Sequence, residues 1–302
     1  MNPSAPARKR NVSYWLRLST FFIVVLYLTV VIIFGVFYGF LHIHSAHSQI
    51  CCETPANYGL DFENVSFRTH DGLTLRGWLI PSQNGAMIIT LHGYGGNRMG
   101  TFALARLLAK HGYGVLLYDQ RATGESDGEN LSWGWRDVAD VSDAVHYLQI
   151  EKGYKPSQIG VYGCSTGAEI ALAATALEPN IHAVAAEDAE FTAIRDTLGM
   201  SALQDRLFWP MYPIFIKVME WRSGASAPIS LSEAVGRISP RPLLLISNGQ
   251  DFDYSQAQYY INLAKEPKEH WNIPDSYHCG GLATHQQEYE THLVGFFDSA
   301  LR

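Results

Sequence analysis

The pentapeptide Gly163-Cys-Ser-Thr-Gly167 sets a serine between two glycines, directly after the strand-like run Gln158–Tyr162 and before the alanine-rich run Thr166–Leu177. A sharp strand-to-helix turn of this kind exposes the central side chain, and glycines leave room where a β-carbon would clash. Ser165 would then stand at the positive end of a helix, where developing negative charge is stabilised. A serine hydroxyl is a weak nucleophile until a base takes its proton. Among the 12 histidines, His278 is the expected base, because it sits on the loop between the last strand and the last helix (Ile273-Pro-Asp-Ser-Tyr-His-Cys-Gly-Gly-Leu282). His285 and His292 fall on the helix that follows, and His270 at the start of a strand.

An orienting acid should lie between nucleophile and base in chain order. Asp251, on the turn Asn248-Gly-Gln-Asp251 after the run Pro242–Ile246, is the expected residue. Asp253 can substitute for it, and Glu187 and Asp188, after the preceding strand, are further alternatives. A buried carboxylate there would fix the imidazole tautomer and stabilise the imidazolium. Acyl transfer also needs donors for an oxyanion. The loop His92-Gly-Tyr-Gly-Gly96 can aim the backbone N–H of Tyr94 at that oxygen, paired with the N–H of Thr166. His92, Gly93, Gly163 and Gly167 are expected to shape this machinery rather than react. A phosphate-binding loop is the rival reading of the glycines, but neither G-x-G-x-x-G nor a Walker Lys-Ser/Thr is present. Cys164 is expected to be a small buried residue pointing away from the turn rather than a reactive thiol.

These residues need a scaffold that brings strand ends to one edge. Val65–Thr69 and Leu73–Ile80 read as a hairpin around Asp71-Gly72, and Met87–Leu91, Val115–Tyr118, His182–Ala186 and Glu269–Ile273 as further strands. Between them, Leu104, Leu107, Leu108 and His111 recur at helical spacing after a cap at Asn97. Val138, Val141, Val145 and Leu148 mark a second helix, and Tyr289, Leu293, Phe296 and Phe297 the last. Alternation of this kind implies an α/β fold with a mainly parallel sheet flanked by helices, and ligands at the carboxyl ends of the strands. Residues 191–240 break the rhythm with Trp209, Pro210, Tyr212, Pro213, Phe215 and Trp221. This insertion reads either as a helical lid over a pocket or as ordinary helical packing.

The amino terminus has a different physics. No charge occurs from Leu18 to Leu41, and Phe21–Leu41 is almost wholly apolar. At about 1.5 Å per residue that stretch crosses the ~30 Å hydrocarbon core of a bilayer. It exceeds the apolar region of a cleaved signal peptide and no A-x-A site follows, so an uncleaved signal-anchor is expected. Arg8, Lys9, Arg10 and Arg17 precede the span, and the next Lys or Arg is Arg68. The positive-inside rule then places residues 1–17 in the cytoplasm and the catalytic part outside it, periplasmic in a bacterium. Residues 42–57 are expected as a linker, with His42, His44 and His47 in a solvated juxtamembrane segment rather than a metal site. Residues 58–302 form the catalytic domain.

A formal net charge of −7 argues against nucleic acid as a partner, and the four cysteines form neither a metal pattern nor a disulfide framework. The adjacent Cys51-Cys52 pair lacks the small residues of a lipoprotein box and has no assigned role.

Taken in order, the loop HGYGG, the segment Asp119-Gln-Arg-Ala-Thr-Gly-Glu-Ser126, the elbow GCSTG, the turn around Asp251 and the run YHCGG resemble the successive motifs of α/β-hydrolases over roughly residues 60–302. The pattern is most similar to single-pass, membrane-anchored members and α/β-hydrolase-domain lipases and esterases. The resemblance implies an α/β-hydrolase fold and a serine hydrolase acting on a carboxylic ester or thioester, with a lipid-like acyl substrate and no cofactor or metal. It also implies that residues 119–126 support the loop near the site, with Ala122 standing where the family has glycine and with Arg121 and Ser126 structural. A serine peptidase, an acyltransferase or a catalytically silent binding protein remain alternatives on the same scaffold, and the oligomeric state is unknown.

Overall fold

The computed structural model describes residues 12–199, 207–250 and 252–301. Arg8, Lys9 and Arg10, Asp251, and residues 200–206 of the aromatic insertion lie outside the described residues.

Eight strands form one sheet: β1 (Glu63–Arg68), β2 (Thr74–Ile80), β3 (Met87–Leu91), β4 (Gly114–Tyr118), β5 (Ile159–Cys164), β6 (Ala183–Glu187), β7 (Leu243–Asn248) and β8 (Lys268–Ile273). Their order in the sheet is β1-β2-β4-β3-β5-β6-β7-β8. Only β2 runs antiparallel to its neighbours, and β4 through β8 are all parallel. The central strands β3, β4, β5, β6 and β7 are apolar because helices cover both faces. On one face lie α3 (Asp137–Ile150), α4 (Thr166–Leu177) and α6 (Leu231–Ile238), and on the other α2 (Phe102–Lys110) and α8 (Gln286–Leu301). The predicted cap at Asn97 is present: its side chain accepts the Met99 N–H at 2.9 Å and starts the turn leading into α2.

Parallel register sets the carboxyl ends of these strands side by side. Leu91 pairs with Gly163, and Cys164 with Glu187. Past the pairs the chain continues as Ser165 N–H to the Glu187 carbonyl at 2.8 Å and Asp188 N–H to the Ile246 carbonyl at 2.9 Å. The loops carrying His92, Ser165, Asp188 and the turn after β7 therefore share one edge.

The long N-terminal helix α1 (Val12–Leu41) is almost entirely exposed apart from a stripe that includes Val31, Gly35 and Gly39. That stripe packs on α5 (Met211–Ser223) of the aromatic insertion, whose described remainder comprises the turn Ile194–Gly199 and α6. Residues 42–57 do not hang free as a linker. Ala46 exchanges backbone bonds with Ala122 and Gly124, Leu131 donates to the Ile43 carbonyl, and the His47 ring sits 3.2 and 3.1 Å from the carbonyls of Gly124 and Gly128. This strap uses up the polar backbone of the 119–130 loop. The loop itself is pinned by a buried ion pair. Asp119 accepts from the Arg98 guanidinium at 3.1 and 2.6 Å, from the Arg98 N–H at 2.8 Å and from the Glu125 N–H at 2.8 Å. Ala122 takes φ 60°, the left-handed conformation that explains why glycine would also suit this position.

Breaking the buried pair should be costly, since one carboxylate would be left uncompensated in the interior. Arg98→Leu is expected to destabilise the fold by about 3–5 kcal/mol, measured as a lower unfolding midpoint of the detergent-solubilised protein.

Candidate active site

The turn between β5 and α4 has the geometry the glycines predict. Ser165 sits at φ 54°, ψ −129°, a conformation that L-residues rarely adopt. A β-carbon on Gly163 would collide with the Gly167 carbonyl, and one on Gly167 with the Leu91 carbonyl of β3. Both glycines are thus required by close backbone approach. As the first residue of α4, Thr166 has an N–H with no intrahelical acceptor, and it points outward at the helix's positive end.

The HGYGG loop lies against this turn. A β-carbon at Gly93 would stand 3.5 Å from Ser165 Cβ. His92 is buried, with Nδ1 2.8 Å from the Gly93 carbonyl and Nε2 3.1 Å from the Gln120 N–H. Burial lowers its pKa, so the ring is neutral, donating from Nδ1 and accepting at Nε2. His92 therefore holds the loop in shape and is not a base. The Tyr94 hydroxyl donates to the His42 carbonyl at the end of α1, and burial pushes its pKa well up.

His278 is half-exposed on the segment between β8 and the single turn Gly281–Thr284. Its Nδ1 lies 3.0 Å from Asp253 Oδ2 and 3.8 Å from Asp188 Oδ2. Asp253 occupies the first turn of α7 (Phe252–Leu263), the helix that begins just after β7. The first-choice acid, Asp251, is outside the described residues, so the carboxylate seen on the imidazole is the alternative two residues on. The Asp253 hydrogen bond raises the His278 pKa to about 9, against the opposing effect of burial and with smaller help from Asp188 and Glu190.

Asp188 has a different environment from Asp253. It is fully buried and accepts from Asn248 N–H and Nδ2 at 2.8 and 2.7 Å and from Cys279 N–H at 2.6 Å. Burial first, then the neighbouring Asp253 and Glu187, raises its pKa to about 7. It fastens the backbone after His278 to the end of β6. Glu187 does the same from below, accepting from Tyr162, Tyr289 and Asn248.

Cys164 departs from its expected role. It is bonded to Cys279, with Cα atoms 6.0 Å apart and a sequence separation of 115. The separation is normal for a disulfide. The bridge joins the residue before Ser165 to the residue after His278, so elbow and histidine loop are covalently tied. The pairing was legible in neither cysteine's local sequence, because the partners are far apart along the chain. Cys51 and Cys52 are bonded to each other. Ser165, Asp188 and Cys279 all carry positive φ, so three non-glycine residues in this conformation converge on one site. Such conformations cluster where surrounding structure holds functional groups in place. Among the described residues no hydrogen bond links the Ser165 hydroxyl to the His278 ring, whose Nδ1 faces Asp253. Contacts of this kind commonly tighten only when substrate is bound.

Comparison with known proteins bears on the fold. A family model described as the alpha/beta hydrolase fold matches residues 86–218. The chain is 29% identical to the Escherichia coli (strain K12) protein YfhR over 250 residues, covering 79% of this chain and 81% of that one. It is 38% identical to a polyketide transferase of Stachybotrys chlorohalonatus over 157 residues, covering 48% and 52% of the two chains. Among solved structures, an esterase of Pyrococcus furiosus superposes with a TM-score of 0.70 at 22% identity, covering 86% of this chain and 99% of that one. Fold and family model coincide: the chain has the α/β-hydrolase fold, and residues 86–218 match its family model.

Proposed function

We propose that the protein is a membrane-anchored serine hydrolase that cleaves a carboxylic ester or thioester through an acyl-enzyme. Ser165 attacks the carbonyl, His278 takes the proton and later returns it to the leaving group, and Asp253 holds the imidazole tautomer and stabilises its charged form. The backbone N–H groups of Tyr94 and Thr166 receive the oxyanion, each worth about 3–4 kcal/mol of barrier. The observation that carries this reading is the 3.0 Å His278–Asp253 pair, held one residue from a disulfide whose other end is one residue from Ser165. Asp188 supports it by holding the Cys279 N–H, and so the backbone after His278, beside the Asp253 contact.

The anchor is α1, with its N-terminus in the cytoplasm and the catalytic domain on the other side. The basic residues ahead of the span support that orientation, and so does the Cys164–Cys279 bond, since disulfides persist in oxidising compartments. Transfer of the acyl group to an acceptor other than water is the second reading, favoured by the 38% identity with a polyketide transferase over about half of each chain. Product analysis with and without an added alcohol or thiol separates the two.

A fluorophosphonate probe should label the wild-type protein and fail to label Ser165→Ala; equal labelling would remove the reading. Asp253→Asn should lower kcat by about 10³–10⁴-fold, the loss expected from a wrong imidazole tautomer, whereas Asp251→Asn should stay close to wild type. The base works only when neutral, so a raised imidazole pKa moves the acid limb of kcat/KM upward, towards pH 9. In Asp253→Asn that limb should fall back towards the ordinary histidine range, which a pH–rate profile reads directly. Cys164→Ser/Cys279→Ser should lose about 2–4 kcal/mol of stability and turn over more slowly, seen by thermal unfolding and an ester assay.

A further inference from the structure

A cavity of about 460 Å³ lies between α1, α5 and the catalytic edge. Its catalytic end is formed by Glu190 and by Phe252, the neighbour of Asp253. Glu190 follows Asp188 by two residues, and its carbonyl accepts from Gln256 and Tyr260 of α7, the helix that carries Asp253. The opposite side reaches the HGYGG loop through aromatic contacts: Tyr94 lies 5.1 Å from Trp133, tilted to it, and Trp133 4.9 Å edge-to-face from Phe215 of α5. The outer wall consists of Phe34 and Tyr38 of α1 with Met211 of α5. Among the described residues of the lining, Glu190 alone is charged. The described wall is therefore mostly apolar, with Glu190 at its catalytic end.

The segment that walls it lies alongside the anchor over much of the anchor's length. Tyr27 donates to the Leu207 carbonyl at 2.6 Å, Gly35 lies against Ile214, Gly39 against Val218, and Phe40 6.1 Å from Trp221. The two stretches run parallel and advance together. Gly35 and Gly39, four residues apart on one face of α1, let the helices approach as closely as small-residue pairs do in membranes. Leu207–Ile216 (LFWPMYPIFI) carries no charge, and the next charge after it, Lys217, comes level with Gly39, near the end of the span. Trp221 and Arg222 follow, of the residue types that mark a membrane interface. Leu207 and Phe208 are left exposed beside α1.

We propose that this cavity is the acyl-chain site and that the membrane anchor itself forms its outer wall, so that a chain of a bilayer lipid ester enters sideways between α1 and α5. The inference rests on the ester-hydrolase reading and deepens it by naming the substrate class and its route. The ester carbonyl would stop at Ser165 while the chain remains in apolar surroundings between the aromatic residues, without passing through water. Short water-borne esters reach the same serine from the open edge and gain nothing from the cavity.

The test uses the full-length protein in phospholipid nanodiscs and compares kcat/KM for p-nitrophenyl palmitate and butyrate. Met211→Trp and Phe34→Trp, which fill the outer half, should each lower the palmitate-to-butyrate ratio at least tenfold. A ratio within twofold of wild type, in variants that unfold at the wild-type temperature, overturns the proposal. A second measurement needs no variant: phosphatidylcholine with a diazirine midway along one chain is photolysed in wild-type nanodiscs. Crosslinks to Phe191 or Phe252, lost after reaction with a long-chain fluorophosphonate, are expected. Crosslinks confined to outward residues of α1 such as Ile33, unchanged by that reagent, overturn it. If wild type hydrolyses butyrate but shows neither effect, the acyl-site inference alone fails. If it neither hydrolyses butyrate nor takes up the probe, the hydrolase reading fails with it.

Discussion

Where β5 ends, the backbone must turn into α4 within one residue, and Ser165 absorbs that turn with a φ of 54°. A non-glycine residue in such a conformation costs of order 1–3 kcal/mol, so the surroundings have to enforce it. They do so from three directions. Gly163 and Gly167 allow β5, α4 and β3 to approach at distances that exclude a β-carbon. The Ser165 N–H is bound to the carbonyl of Glu187 on β6, and Cys164 is bonded to Cys279. The parallel sheet supplies the first two restraints and the far end of the chain the third. Exposure of the hydroxyl, the free N–H of Thr166 and the nearness of Gly93 all follow from that single enforced turn.

The two aspartates beside His278 show how burial divides labour between identical groups. Asp188 is enclosed and saturated by hydrogen bonds from Asn248 and Cys279, and burial raises its pKa to about 7. It holds backbone. Asp253, on the more open first turn of α7, bonds the imidazole at 3.0 Å and raises its pKa instead. Burial and the neighbouring carboxylates act on Asp188, whereas Asp253 is placed to bond the ring.

The N-terminal apolar helix is part of the tertiary structure. α1 is tied through its glycine face to α5, through its last carbonyls to Tyr94, and through the strap at residues 43–47 to the loop that Asp119 and Arg98 hold beneath the site. Each attachment satisfies a polar group or fills a groove that would otherwise face solvent or lipid. Motion of α1 relative to the domain would therefore be felt at the oxyanion loop.

Local pattern alone determined the alternation of strands and helices, the glycine-bounded serine turn, the histidine on the final loop and the apolar span, because each rests on short-range periodicity or steric demand. Tertiary structure decided three matters. Asp253 meets His278 through the orientation of α7 relative to the loop after β8, which residue type does not encode. Cys164 meets Cys279 because β5 and the loop after β8 end at one edge, a pairing 115 residues apart that no spacing rule encodes. The GxxxG face of α1 and the charge-free run at 207–216 are each visible in the sequence, yet that they face one another depends on long-range packing, which is set by shape rather than by local propensity.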